Sequence, residues 1–325
     1  MTDAQLTIDI HLDPDDADRA LRADVERGLK DSPKWLPPKW FYDDRGSQLF
    51  DAITRLDEYY PTRCERAILI ERASDIAELT RANTLVELGS GTSEKTRLLL
   101  DAFAATGRLR RFVPFDVSEQ TLRAAAAAVH AEYPGTAVHA VVGDFERHLH
   151  LLPSDGRRCI AFLGGTIGNL FSAERARFFA DVRHGLGEHD TLLLGVDLVK
   201  DNDRLERAYD DERGVTAEFN RNVLRVINRE LDADFPLDAF VHVARFDPAN
   251  EWIEMHLEAL TDLSVKIRGV DLVVDFLAGE RLRTEISAKF RPDGIRSELA
   301  AAGLTVAQFW TDPAGDFALV LAYPA

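Results

Sequence analysis

From about residue 83 the chain alternates between two textures. Short apolar runs, TLVELG (84–89), RFVPFDV (111–117), AVHAVVGDF (137–145), RCIAFLGG (158–165) and TLLLGVDL (191–198), are separated by stretches with helical spacing of apolar positions near 93–105, 118–132 and 172–186. Short apolar strands alternating with helices predict βαβ units in a parallel sheet, with right-handed crossovers and helices on both faces. The alternation stops at Lys200. Residues 202–212 and 215–231 read as two helices broken at Gly214, and four strand-like segments follow at 240–246, 251–260, 270–277 and 281–290. With turns but no helices between them, these predict an antiparallel meander. A helix over 292–302 and strands over 305–312 and 316–324 restore the first texture, so the middle segment reads as an insert.

The N-terminal part is different again. A helix is expected over 15–30, followed by SPKWLPPKWFYDDRGS. Its three prolines exclude regular helix, and its dense aromatics predict an ordered loop lying over something. Helices over 47–54 and 63–79 follow, with EYYPTR interrupting them. The expected organisation is an α/β domain of residues 61–199 plus 288–325, and an α+β domain of residues 1–60 plus 200–287.

Composition narrows the partners. The 325 residues are 46% hydrophobic, and 56 acidic against 39 basic residues give a formal charge of −17. That balance argues against nucleic acid, whose binders cluster Lys and Arg, and against docking on anionic lipid. No run reaches the ~18 apolar residues of a membrane span, and the acidic start lacks a signal-peptide pattern. Cys64 and Cys159 form no CxxC pair and read as reduced thiols. A cytoplasmic protein is expected, and a monomer, since no coiled-coil pattern appears. The histidines lack metal-ligand spacing, so no metal is expected.

Candidate chemistry gathers at strand ends, where open α/β sheets bind ligands. Glu87-Leu88-Gly89-Ser90-Gly91 closes the first apolar run, and glycines there let the backbone approach a cofactor. A dinucleotide site would want a third glycine where Glu94 stands, and a carboxylate is unfavourable beside a pyrophosphate. S-adenosylmethionine has no phosphate and a cationic sulfonium, so the acid is acceptable there. A plain structural turn stays open. Asp116, after the second run, suits ribose hydroxyls; Asp144, after the third, can accept from an adenine amine that Phe145 covers. Each alone also reads as a helix-capping loop acid. Asn169, in the LGGTIGNLF stretch after the fourth run, offers a donor and an acceptor, or caps the next helix. In 281–290, period two puts Glu285, Ser287 and Lys289 on one strand face. A carboxylate and a hydroxyl side by side fit the two nitrogens of an imidazole; a solvated strand face is the alternative.

Several stretches, KWFYDDRGSQLFDAI, EYYPTRCE, ELGSGTSEKT, PFDVS, GDF, FLGGTIGNL, DLVKD, AYDDERGVTAEFNRNVL and RTEISAKF, resemble the histidine-specific, S-adenosylmethionine-dependent methyltransferases over residues 39 to 290. The resemblance implies a Rossmann-like class I methyltransferase sheet with an inserted substrate-binding domain. It also implies three methyl transfers to the α-amino group of L-histidine, giving hercynine, the opening reaction of ergothioneine biosynthesis. Carried over by motif, Gly89, Lys95, Asp116, Asp144 and Phe145 bind S-adenosylmethionine. Tyr59, Asn169, Tyr209 and the Glu285-Ile286-Ser287 segment bind histidine, Asn169 and Tyr209 at its carboxylate and amine end. Tyr42, Tyr59 and Asn169 are the implied catalytic residues, with Tyr42 lining the methyl-transfer region. A methyltransferase of the same fold acting on another small amine, and a cofactor-binding module without turnover, are the competing readings.

Overall fold

The computed structural model describes residues 5–12 and 14–325. Its N-terminal elements are β1 (Leu6–Ile10), α1 (Pro14–Lys30), α2 (Asp44–Ile53) and α3 (Tyr60–Thr80). The alternating region gives β2 (Thr84–Leu88), α4 (Thr96–Ala105), β3 (Arg111–Asp116), α5 (Glu119–Glu132), β4 (Ala137–Val142), the single-turn α6 (Phe145–His148), β5 (Arg158–Phe162), α7 (Ser172–Gly185) and β6 (Thr191–Asp197). The insert gives α8 (Asn202–Tyr209), α9 (Val215–Glu230), β7 (Phe240–Asp247), β8 (Trp252–Ala259), β9 (Leu263–Ile267), β10 (Leu272–Phe276) and β11 (Arg281–Ala288), and the tail gives α10 (Pro292–Ala301), β12 (Leu304–Thr311) and β13 (Phe317–Pro324). The chain divides into two compact units, one of residues up to 12, 61–199 and 290–325, the other of residues up to 60 after those and 200–289.

The first unit is an eight-stranded sheet in the order β1-β4-β3-β2-β5-β6-β13-β12. β1 to β6 run parallel to their neighbours, and the terminal pair closes the sheet antiparallel, β13 against β6. This is the Rossmann-like class I methyltransferase arrangement. Every residue of β2, β5 and β6 is buried, as strands covered on both faces require. Phe103, Phe112, Leu122, Leu193 and Phe317 belong to one continuous core. Connections run outward from β2 in one direction and from β5 in the other, so the topological switch point lies between β2 and β5, where this architecture places ligands.

Two features depart from the sequence reading here. Residues 5–12 belong to this sheet rather than to the unit containing the insert. β1 pairs in parallel with β4, Leu6 opposite Val138 through Ile10 opposite Val142, and covers an otherwise free strand edge. EYYPTR does not interrupt a helix but begins one: Pro61 stands in the first turn of α3, where an absent N–H costs nothing. The insert leaves and rejoins the sheet at adjacent points. Val199 N donates to Phe290 O at 3.0 Å, and Phe290 N to Asp197 O at 2.8 Å.

The second unit has a three-stranded antiparallel sheet, β11-β8-β7, and a separate hairpin of β9 and β10. The sequence reading expects one meander of four strands. LSVKI, outside those four segments, is a fifth strand, and it pairs with β10 instead of extending the larger sheet. α9 is anchored beneath the aromatic N-terminal loop, where Asn222 Nδ2 donates to Phe41 O at 3.1 Å and to Asp43 Oδ1 at 2.7 Å. Among the described residues, no helix is long and apolar enough to cross a membrane.

Candidate active site

In the first unit the expected cofactor residues follow the carboxyl ends of β2, β3 and β4, and Asn169, expected to bind substrate, follows β5. Gly89 and Gly91 have φ of +67° and +49°, a region that favours glycine, and no protein atom lies within 4 Å of where a Cβ would stand on either. The turn is therefore both open and backbone-lined. Asp116 holds it in place, accepting from Gly91 N at 2.8 Å and Ser118 N at 2.9 Å. Burial pushes the Asp116 carboxyl above its ordinary range, and those backbone N–H groups oppose the shift. Beneath the turn Glu87 is buried, pushed up to about 8 by desolvation despite its bond from Thr96 Oγ1. It is mostly protonated at neutral pH, so the acid of this motif presents no full charge to the loop. Lys95 enters α4 and pairs with Glu65. Asp144 precedes α6, and the Phe145 ring packs 5.2 Å from Phe162 and 5.9 Å from Phe178. Asn169 ends a one-turn 3₁₀ segment, Thr166–Asn169, entered through Gly164 and Gly165 at φ of +78° and +72°.

The second unit brings together Tyr42, Tyr59, Tyr209, Glu285 and Ser287. Tyr209 OH and Ser287 Oγ are 2.8 Å apart, and Lys289 Nζ donates to both at 2.9 Å. The Lys289 ammonium also lies 4.6 Å from the centre of the Tyr209 ring. Tyr59 meets Tyr209 edge-on at 6.2 Å, and Phe50 joins Tyr59 to Tyr42 at 6.2 and 5.6 Å. Glu285 is only 8% exposed. Burial pushes its carboxyl up to about 8, with Lys289 pulling the other way. β11 is buried on both faces from Thr284 onward, which removes the solvated-face alternative. Ile286 points to the face opposite Glu285 and Ser287.

A buried network behind the cluster was not anticipated. Asn220 of α9 donates to His242 Nδ1 at 2.8 Å and to His256 O at 2.9 Å, and accepts from Thr284 Oγ1 at 2.6 Å. With Nδ1 accepting, His242 is the Nε2–H tautomer, and it donates to the Tyr209 carbonyl at 2.8 Å. Burial holds its pKa down, so the ring stays neutral. The network thus fixes the backbone of Tyr209 and the strand residue beside Glu285. Lys289 was placed on the correct face but given no role; its two hydroxyl partners assign it one. Tyr209 and Ser287, expected at different ends of the substrate, share a hydrogen bond.

Cys64, Asp312 and Asp316 offer donor atoms within 4.8 Å of one another. Asp312 already accepts from Ala314 N at 3.1 Å and from Asp316 N and Phe317 N at 2.8 Å, so it closes the β12–β13 turn. Among the described residues, Cys64 and Cys159 are not joined in a disulfide.

A glycine turn at the switch point and acids at the next two strand ends are the arrangement of a nucleoside-bearing cofactor site. The family model of histidine-specific, S-adenosylmethionine-dependent methyltransferases matches residues 21–324. The chain belongs to this family. As a member of it, the chain is an enzyme that uses S-adenosylmethionine as methyl donor. It is 58% identical over 317 residues to a histidine N-alpha-methyltransferase of Mycolicibacterium smegmatis, covering 98% of this chain and 99% of that one. Its identity to the histidine N-alpha-methyltransferase of Mycobacterium tuberculosis is 59% over 312 residues, 96% and 97% of the two chains. An ergothioneine biosynthesis protein 1 of Neurospora crassa is 35% identical over 204 residues, 61% of this chain and 23% of that protein.

Proposed function

We propose that this histidine-specific methyltransferase transfers three methyl groups to the α-amino nitrogen of L-histidine, giving hercynine, at the start of ergothioneine biosynthesis. The near-full-length identity to the mycobacterial histidine N-alpha-methyltransferases carries the reading. The buried Glu285–Ser287–Tyr209–Lys289 cluster supports it with chemistry suited to one small polar ligand.

Each unit takes its own share. In the first, Gly89, Lys95, Asp116, Asp144 and Phe145 bind the cofactor, and Asn169 contributes an amide for the amino-acid end of histidine. In the second, Glu285 accepts one ring N–H and Ser287 bonds the other ring nitrogen. Tyr209 carries a hydroxyl for the carboxylate and amine end, and Tyr59 and Tyr42 supply aromatic walls. Ile286 contributes through its backbone, since its side chain faces away. S-adenosylmethionine supplies an electrophilic methyl group on a sulfonium. The residues must present a neutral amine to it, because an ammonium has no lone pair. An α-amino group loses its proton near pH 7.7–8.0 in peptides, so a proton leaves before each of the three transfers. None of the proposed substrate-binding residues is a histidine that could serve as base; positioning by the tyrosines and Asn169 does most of the work, and water or a tyrosine oxygen carries the protons. A cytoplasmic monomer belongs to the same proposal, and light scattering tests the monomer.

Discrimination follows from the polar cluster. An amino acid lacking the imidazole gives the buried Glu285 carboxyl no ring N–H, a penalty larger than a lost apolar contact. Mass spectrometry of a reaction with histidine and S-adenosylmethionine should show a gain of three methyl groups on the amine. A product methylated on the ring, or turnover of another amino acid in preference to histidine, would overturn the proposal.

A further inference from the structure

Glu65 is a charged residue of a helix that is completely inaccessible to solvent. Its Oε1 accepts from Gly164 N at 2.7 Å, at the end of β5, and its Oε2 takes the ammonium of Lys95, at the entry to α4. The surrounding structure is shaped to admit it. Gly195, inside the fully buried strand β6, has no side chain, and a methyl group there would collide with Glu65 Oε1. One carboxylate from α3 thus ties together the residue after the glycine turn and the loop after β5. A buried ion pair of this kind adds little net stability over well-packed apolar groups, but it fixes where an ammonium points. Glu87, the other acid near Lys95, is bonded to Thr96 and mostly protonated, so it does not compete for the ammonium.

We propose that Glu65 is a positioning residue for the amino-acid half of S-adenosylmethionine: it aims Lys95 at the cofactor carboxylate and holds the Gly164 loop in register with it. The proposal rests on Lys95 contacting the cofactor, as put forward above. Glu65 itself touches no substrate or cofactor atom on this account.

The test separates the two ends of the ligand. The full-length protein, E65Q, K95Q and the double variant are titrated calorimetrically with S-adenosylhomocysteine and with 5′-methylthioadenosine, which keeps the nucleoside and sulfur but lacks the amino-acid end. Gln keeps an acceptor for Gly164 N–H and removes the charge from Lys95. E65Q should weaken S-adenosylhomocysteine by about tenfold or more, the scale of a charge-assisted contact, and leave 5′-methylthioadenosine within about twofold. K95Q should do the same, and the double variant should be no weaker than K95Q. E65D, which keeps the charge on a shorter arm, should recover part of the lost affinity and provides a second variant if E65Q is unstable. Equal losses for both ligands in E65Q would make Glu65 merely structural and overturn the proposal, as would unchanged S-adenosylhomocysteine binding or multiplicative losses in the double variant. If K95Q leaves S-adenosylhomocysteine binding intact, the Lys95 assignment itself falls, and this proposal with it. If K95Q acts selectively and E65Q does not, only Glu65 loses its role.

Discussion

Glu285 should give ligand affinity a pH dependence that its neutral isostere lacks. The carboxyl is pushed up to about 8 by burial, with the Lys289 ammonium opposing. Relative to the ordinary 4.5 of a glutamate, the folded protein holds an additional proton between those values. The sign follows directly: the group's stability contribution is complete below pH ~4.5 and is lost as pH rises through ~8. An imidazole N–H bonds the ionised carboxylate more strongly than the protonated acid, whose carbonyl oxygen is the weaker acceptor. With a value of about 8, roughly one molecule in eleven is ionised at pH 7 and about ten in eleven at pH 9. Affinity scales with the competent fraction, so it should tighten about tenfold, ~1.4 kcal/mol, across that interval. Hercynine is the ligand to use, because its amine is quaternary and its imidazole is neutral above pH ~6.5. Calorimetry in two buffers of different ionisation enthalpy should also show close to one proton released at pH 7. In Glu285→Gln both the pH dependence and the proton release should vanish. Affinity that is flat or falling from pH 7 to 9 in the unmodified enzyme, or the same slope in the variant, would refute the reasoning.

Tyr209→Phe removes a hydroxyl bonded to Ser287 and to the Lys289 ammonium; a loss of ~2 kcal/mol, about thirtyfold in histidine KM, is expected, with S-adenosylhomocysteine affinity unchanged by calorimetry. Asn220→Ala cuts three buried hydrogen bonds and leaves His242 and Thr284 short of partners; urea unfolding should show a loss of about 3 kcal/mol or more. Gly195→Ala drives a methyl group into Glu65 and should cost about 1–3 kcal/mol in thermal unfolding. That cost should shrink in a Glu65→Ala background, because the colliding oxygen is gone.

The sheet was legible because buried parallel strands are written as local apolar runs, and the ligand end of such a sheet follows from its topology. Asp116 and Asp144 could be found because strand ends are marked in the sequence. β11 was legible as far as its alternation, which put Glu285, Ser287 and Lys289 on one face. Whether that face was wet or buried depended on partners such as Tyr209 of α8, which meets Ser287 and Lys289 there and lies far away in sequence. β1 escaped because its five residues gain their partner, β4, about 130 positions later. β9 escaped because its five residues, LSVKI, are short and gain their order from pairing with β10. Glu65 gave no signal at all: in CERAILIERASDIAEL it resembles any exposed helical acid, and only Gly164, Lys95 and Gly195 mark it as buried. Asn220 and His242 likewise look like ordinary polar residues of a helix and a strand until they meet.

The adjoining exit and return of the insert bear on how such an enzyme can acquire its selectivity. Because Val199 and Phe290 are hydrogen-bonded to each other, the 90 positions between them, 200–289, form an excursion whose ends are already closed by the host sheet. Closure entropy grows only slowly with the length of such a loop. Descendants of one ancestor can therefore lengthen, trim or exchange the excursion while the strand order that presents the methyl donor is inherited intact. On the substrate residues proposed above, new acceptor chemistry is then a matter of which side chains the excursion carries.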